Sequence, residues 1–565
     1  MTNHIQHPHD QPAAISVTPY ILRHLRNINA TIQTSAPFRP PLRQPSVLFS
    51  GVAVAGAVAG AARMASTATA AQQPGCAKTL INLLRGWPNP SLLPSHLLRA
   101  AADHVLSDRS LAVPGLEYGP DWGDPLLRQS LAIWLSDFYS SSQPIDVGRI
   151  AITGGASQNL ACILQTFTDP AYTRNIWFVA PAYMLAFRIF GDAGFEKKLR
   201  AVPEDAEGLD VTYLRQAIEK SEKDAQEKGN NEPQFKAPKP WSKIYKHVIY
   251  CVPSFSNPSS KTMSLARRQE LVRIAREYDA LVITDDVYDQ LQWPAGETMA
   301  EERDFASMKA VMPRLVDVDK LFEGGSEREG SDAFGNAASN GSFSKICGPG
   351  VRTGWVEGQF HLLLVILSYH FPPEECPGTA KFAHGVSQTG SSRSGGAPSH
   401  LTATFLANLV SQGKLQDHIS TSLLPTYYRR YHLLVSAIRQ HLVPLGCQLP
   451  PITKMKSGEG VAGGYFIWLT LPKGVIAKDL AVRAQSEENL IIAGGHLFQV
   501  PGDNQNEGTR FDDCIRLCFT FEEEPKLVEG VERIGKVIER MLKGETKLDD
   551  TKGITNATDT TNAFW

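Results

Sequence analysis

The residues best suited to chemistry lie in "SFSKICGPGVRTGW", Ser342 to Trp355, where Lys345 stands among small residues and Arg352 follows seven positions later. A charged side chain is seldom placed in such surroundings unless a partner holds the charge or the charge is absent. A lysine relieved of its charge is an amine that can attack a carbonyl or take up a proton. Asp285 and Asp286 close the apolar run "ALVIT", with Tyr288 next in "DDVYDQL". At the end of a buried strand one of these carboxylates points inward or caps a neighbour, unless the pair only terminates the strand. "SFSNPSS" sets Asn257 before a proline, which taken alone reads equally well as an Asn-Pro turn. "TGGASQNL", Thr153 to Leu160, is a glycine turn opening a helix. Its free backbone amides and positive dipole end suit a phosphate, although many helices begin after Gly-Gly.

These residues sit in an ordinary globular composition: 565 residues, 42% hydrophobic and 20% charged, enough for two or three domains. Lys+Arg 56 against Asp+Glu 58 leaves no basic field for a nucleic acid or an anionic membrane. The eight cysteines are scattered, and the closest pair, Cys514 and Cys518 in "DCIRLCF", alternates within a strand-like run rather than taking a zinc spacing. No metal is expected, and buried thiols in a reducing compartment are.

Residues 1–75 carry Arg23, Arg26, Arg39, Arg43 and Arg63 against a single acidic residue, Asp10, the bias of a mitochondrial transit segment on a poor amphipathic helix. The location reads as cytoplasmic or mitochondrial. "VLFSGVAVAGAVAGAA", from Val47, is short of the roughly 20 residues a membrane span needs, so it reads as part of a disordered or cleaved leader. The tail 544–565 is polar and aperiodic, and reads as disordered.

Between these ends, short apolar strands feed helices: "RIAITGG" then "ASQNLACILQTF", "NIWFVAP" then "AYMLAFRIFGDAG", "HVIYCVP" then "SLARRQELVRIAREYDA". The runs "ALVITDD", "NGSFSK" and "TGWVEG" follow. Such alternation predicts a mostly parallel sheet covered on both faces, with a ligand site at the carboxyl ends of its strands. From Ser399 two long helical stretches and the strands "GGYFIWLTLP" and "CIRLCFTF" suggest a smaller α+β domain. Two polar stretches, near 220–240 and 318–340, read as surface loops. A third segment, Gln359 to Gly378, is strongly apolar and has no obvious place.

Taken together, the glycine turn, Tyr183 in "APAYMLAF", Asn257, Asp285 with Tyr288, Lys345, Arg352 and Arg516 in "CIRLCFTF" resemble the class I/II aminotransferases, over "INLLRGWPNP" to "VERIGKVIERML". The arginine seven residues after the lysine resembles the branch with 2-aminoadipate and kynurenine aminotransferases and the aminotransferase-like domains of certain bacterial regulators. The resemblance implies an α/β fold of type I: a large domain with a mostly parallel seven-stranded sheet between helices, over 116–398, and a small α+β domain over 399–543 joined by an arm at 76–115. It implies pyridoxal 5'-phosphate, with Lys345 as the Schiff-base lysine. Asp285 would pair with the pyridine nitrogen, Asn257 and Tyr288 would bond the ring 3-oxygen, and Tyr183 would stack on the ring. Ser342, Arg352 and the amides of Gly155, Ala156 and Ser157 would bind the phosphate. Arg516 would clamp the substrate carboxylate, with Asn257 and Gly86 also lining the substrate side.

Tyr118, in "LEYGPDWGDP", resembles the tyrosine that reaches the neighbouring subunit's phosphate, implying a homodimer with shared sites. The expected reaction is a ping-pong amino transfer to a 2-oxo acid, from 2-aminoadipate or an aromatic amino acid. A β-lyase or carbon-sulfur lyase on the same residues and a non-catalytic binding relative are the alternatives. Ser260 stands where the family usually has glycine, Ala156 where a hydroxyl is common, and "AGGHLF" lacks a proline often found there. Gln359 to Gly378 departs most, as a translated intron or a genuine insertion.

Overall fold

The computed structural model describes residues 78–296, 304–332, 334–358, 381–454, 458–503 and 507–545. The leader, the apolar segment 359–378 and all but two residues of the tail lie outside them.

Sixteen strands are named here in chain order among the described residues. They are β1 (Ile81–Asn82), β2 (Ile150–Thr153), β3 (Ile176–Ala180), β4 (Leu199–Asp205), β5 (Gly208–Leu209), β6 (His247–Cys251), β7 (Ala280–Asp285), β8 (Gln292–Pro294), β9 (Ala337–Ser342), β10 (Gly354–Glu357), β11 (Thr453–Lys454), β12 (Gly460–Gly463), β13 (Phe466–Thr470), β14 (Leu490–Ile491), β15 (Ala493–Gly494) and β16 (Cys514–Cys518). The large sheet runs β2-β10-β9-β7-β6-β3-β4-β5. From β9 to β4 every pair is parallel, while β10 runs against both β2 and β9. The expected seven strands are joined by an eighth, the two-residue β5, which folds back on the end of β4 as an antiparallel edge.

Alternation along the strands explains the two covered faces. Ile176 and Phe178 of β3 pack with Leu160, Ile163 and Phe167 of the Ala156–Phe167 helix. Trp177 and Val179 face the other way, toward Leu214 and Ile218 of the Val211–Glu227 helix and Leu271 of the Leu265–Glu277 helix. Helix starts follow local chemistry: Asp210 and Ser264 each accept a bond from an amide of the first turn.

Both polar stretches read as loops need correction. Residues 220–227 continue the Val211–Glu227 helix, whose Leu214, Ile218 and Ala225 are buried while its many charges form a solvated face. In the second stretch, Leu315–Leu321 is helical at its start, and Ala337 to Asn340 belong to β9, buried along its whole length. That strand, "AASNGS", carries no large apolar residue, so nothing in its pattern signals a sheet interior. Small size is what its neighbours require: a Cβ at Gly341 would come within 2.0 Å of the Trp355 ring on β10.

The later part of the chain forms the sheet β13-β16-β15, covered by the helices Leu424–His441 and Glu524–Leu542. β1 joins it from the other end of the chain by pairing in parallel with β14. A third small sheet, β11-β12-β8, links this part to the large one. No helix among the described residues is long and apolar enough to cross a membrane.

A buried ion cluster closes the end of β10. Glu357 is 0% exposed and accepts from Arg149 Nε at 3.0 Å and Arg314 Nη1 at 2.7 Å; Arg314 also pairs with Asp317. Removing the shared carboxylate leaves two guanidiniums buried without it. Glu357→Ala is expected to lower unfolding stability by about 3–5 kcal/mol, read from the midpoint of a urea titration.

Candidate active site

The carboxyl ends of the parallel strands converge on one edge of the large sheet. β2 leads into Gly155, β3 into Tyr183, β6 into Asn257, β7 ends at Asp285 and β9 ends at Ser342, three residues before Lys345. Because β10 runs the other way, its beginning lies at the same edge, and this returns Arg352 to the lysine.

Lys345 is half-buried, and its Nζ donates to the Gly86 carbonyl at 2.8 Å. No carboxylate lies within ion-pair distance of it among the described residues. Tyr465 donates its hydroxyl to the Lys345 carbonyl at 2.9 Å and holds the main chain in place. Desolvation pulls the amine's pKa down to about 8, opposed by Cys518 and reinforced by Arg516. At neutral pH a useful fraction of this amine is uncharged, which answers the question its neighbours raise.

Asp285 is buried. Its Oδ2 accepts from the Tyr250 hydroxyl at 2.9 Å and its Oδ1 from Asn340 Nδ2 at 3.1 Å. Burial raises its pKa to about 7, against the Tyr250 bond. Asp286, next along the chain, makes a different set of contacts, accepting from Thr284 and Ser339. Of the two adjacent carboxylates only Asp285 joins the cluster around Lys345.

Arg516 on β16 is 2% exposed and meets no carboxylate among the described residues. It donates from Nη1 to Asn257 Oδ1 at 2.8 Å and from Nη2 to the Leu84 carbonyl at 2.6 Å, while its buried Nε has no partner there. Its guanidinium lies 4.0 Å from the Phe466 ring centre and 4.8 Å from that of Phe498. Gly86 closes this side, since a Cβ there would come within 2.6 Å of Phe466. Tyr288 is buried with its ring 5.9 Å from Lys345 Nζ. Tyr183 is half-buried, and desolvation lifts its phenol to about 12, helped by Asp285.

At the opposite end Gly155 and Ser342 are buried and Arg352 is exposed. Gly155 adopts φ +95°, and a Cβ added to it would come within 2.9 Å of Arg352 Nη2. Arg352 donates to the carbonyls of Gly154 and Pro349 at 3.1 and 3.0 Å. The Ser342 hydroxyl donates to Ser344 Oγ at 3.0 Å. Ala156 and Ser157 begin the helix, where the first amides have no carbonyl one turn back. Tyr118 is 90% exposed, apart from these groups and facing solvent. Ser260 takes φ +62°, the left-handed region glycine enters freely, and its hydroxyl bonds the Phe466 carbonyl at 2.9 Å, which offsets part of that strain.

Three contributors carry no signal in the sequence: Tyr250, Asn340 and Asn159, the last donating to Asn340 at 2.8 Å. Asn340 lies within the stretch that reads as a loop, and it is found only once β9 is seen to pair with β7, Asp285 opposite Asn340.

The model of the family "Aminotransferase class I and II" matches residues 89–363. An uncharacterized protein of Saccharomyces cerevisiae is 31% identical over 81% of this chain and 96% of its own. Aromatic-amino-acid aminotransferase 1 of Thermococcus litoralis is 25% identical over 82% of this chain and 89% of its own. Among solved structures, the kynurenine aminotransferase of Pyrococcus horikoshii, in complex with PMP, superposes with a TM-score of 0.59 at 25% identity, covering 86% of this chain and 94% of that one. The chain belongs to the class I and II aminotransferases, and is a pyridoxal-phosphate-dependent enzyme of fold type I that moves amino groups between amino acids and 2-oxo acids.

Proposed function

We propose that the enzyme takes aromatic L-amino acids as amino donors, with Lys345 as its catalytic base and Arg516 as the clamp for the substrate carboxylate. The observation that carries this reading is the pairing of an amine that meets no carboxylate among the described residues with a buried guanidinium walled by Phe466 and Phe498. Two of the relatives named above carry aromatic or kynurenine activity in their names, which supports the same choice.

The residues present fit pyridoxal 5'-phosphate. The Arg352 guanidinium lies against the bare backbone of Gly155, and with Ser342 and the amides of Ala156 and Ser157 it would suit a phosphate dianion. Asp285 would hold the pyridine nitrogen, Asn257 and Tyr288 the ring 3-oxygen, and Tyr183 the ring face. When bound, the cofactor supplies an electron sink for the carbanion at the substrate Cα.

The chain's own residues do the rest. Arg516 receives the α-carboxylate, for which its unpartnered Nε is an available donor, and so fixes the direction of the Cα–H bond. Lys345 Nζ, partly desolvated, takes that proton and later returns it. Phe466 and Phe498 exclude water from the same volume. An amino acid and a 2-oxo acid would then react in turn, in ping-pong fashion.

The enzyme would work as a homodimer. Tyr118 stands in solvent together with the apolar side chains Leu116, Leu126 and Ile133, and in this reading Tyr118 reaches the partner's phosphate subsite. Sedimentation of the purified protein at twice the chain mass, and a severalfold weaker hold on the cofactor in Tyr118→Phe, are the expected results. A monomer that is fully active would overturn this.

The amino-donor test is the absorbance of the holoenzyme on adding single amino acids without an acceptor. Phenylalanine, tyrosine or kynurenine should convert bound pyridoxal phosphate to pyridoxamine phosphate and release the matching 2-oxo acid; conversion by 2-aminoadipate alone would reject the aromatic reading. Lys345→Ala should slow this conversion by about 10²–10⁴-fold. Arg516→Lys, which loses the planar fork, should raise KM about tenfold to a hundredfold for amino and oxo acids alike. The rate at which the apoenzyme takes up pyridoxal phosphate should climb as pH rises through about 8 and then level off, because only the uncharged Lys345 amine attacks.

A further inference from the structure

Asp285 is gripped by a second layer of polar groups. On β6, Tyr250 donates its hydroxyl to Oδ2 at 2.9 Å; on β9, Asn340 donates Nδ2 to Oδ1 at 3.1 Å. The same Nδ2 lies 3.2 Å from the carbonyl of Ala156, the first residue of the Ala156–Phe167 helix. Asn340 Oδ1 accepts from Asn159 Nδ2 at 2.8 Å, and both asparagines are 0% exposed.

These bonds leave the Asn340 amide one orientation. A backbone carbonyl only accepts, so the group facing Ala156 must be the nitrogen, and the oxygen must face Asn159. Asn159 in turn has to present its own nitrogen. Its Oδ1 is thereby left buried with no partner among the described residues. An unpaired buried acceptor is destabilising, and a pair of apolar residues would fill the same seam between sheet and helix without that cost. The cost is explained if the donor at Asp285 matters to the reaction.

We infer that Asn340, oriented by Asn159, is a positioning residue that keeps Asp285 an acceptor toward the pyridine nitrogen of the cofactor and ties it to the first turn of the phosphate-binding helix. This rests on the reading of Asp285 given under Proposed function. With a donor on each carboxylate oxygen, a proton shared between Asp285 and the ring nitrogen is held on the ring. Through Ala156 the same amide also sets the spacing between the ring contact and the phosphate contact.

The test is ¹⁵N nuclear magnetic resonance of the holoenzyme loaded with pyridoxal phosphate labelled at the ring nitrogen, alongside single-turnover conversion by an amino donor. The wild type should show the pyridinium resonance. Asn340→Leu and Asn340→Asp each remove the donor at Oδ1, and should move the resonance toward neutral pyridine and slow the single turnover about tenfold or more. Asn159→Ala keeps the donor but frees the amide to turn, and should move the resonance part of the way. If the Asn340 variants fail to hold cofactor, Asn159→Ala decides the matter. A pyridinium resonance unchanged in every variant that holds cofactor, even with a lower melting temperature, would show that the pair only packs and would overturn the inference. A neutral ring nitrogen in the wild type, or a protonated one in Asp285→Asn, would instead remove Asp285 from its assigned role and both readings with it.

Discussion

β10 runs against both of its neighbours, β2 and β9, and the reversal determines where the charged groups of the site can be. In a wholly parallel sheet, seven residues beyond Lys345 would carry the chain away from the carboxyl edge. Here the chain turns at Gly348 to Val351 and enters β10 from that same edge, so Arg352 stands at its start, beside Gly155 at the end of β2. One turn and one helix start are thus brought together, 197 positions apart in the chain as Gly155 and Arg352 are numbered.

The position of β10 along its neighbours is held at two points. At its far end Glu357 is locked between Arg149, which precedes β2, and Arg314, which opens the Leu315–Leu321 helix. Midway, the Trp355 ring occupies the space that Gly341 leaves. A slip of one residue would turn Glu357 out of the cluster and put the indole against a side chain, so the register is strongly specified. Burying this many charges adds little net stability; what it supplies is discrimination between registers, and through the register the place of Arg352.

Around Lys345 the same low-water environment acts in opposite directions on acid and base. Burial discourages charge on both, lowering the lysine to about 8 and raising Asp285 to about 7. Two groups that would be fully ionised in water are brought close to neutral pH, where proton transfer needs little driving force. The hydrogen bonds then separate them: Tyr250 and Asn340 donate to Asp285 and favour its charge, whereas Lys345 Nζ hydrogen-bonds a carbonyl and, among the described residues, no carboxylate.

The sequence by itself determined which residues are candidates for the site. Asp285 ends the apolar run of β7, the turn at Gly155, Asn257, Lys345 and Arg352 lie in turns that adjoin strands, and Arg516 interrupts the apolar run of β16; a charged, polar or glycine residue in such a place is visible in one dimension. The alternation of strand and helix was equally legible, because apolar residues crowd strands covered on both faces. What the tertiary structure alone decided is which small and polar residues belong to the interior. β9 is buried through Ala, Ser, Asn and Gly, with no apolar period to betray it, and the charged Val211–Glu227 helix shows only a thin apolar stripe. Asn340 and Asn159 are chosen by the space and the bonding partners that other strands and helices leave them, and a hydrogen bond between residues 181 positions apart has no trace in local sequence.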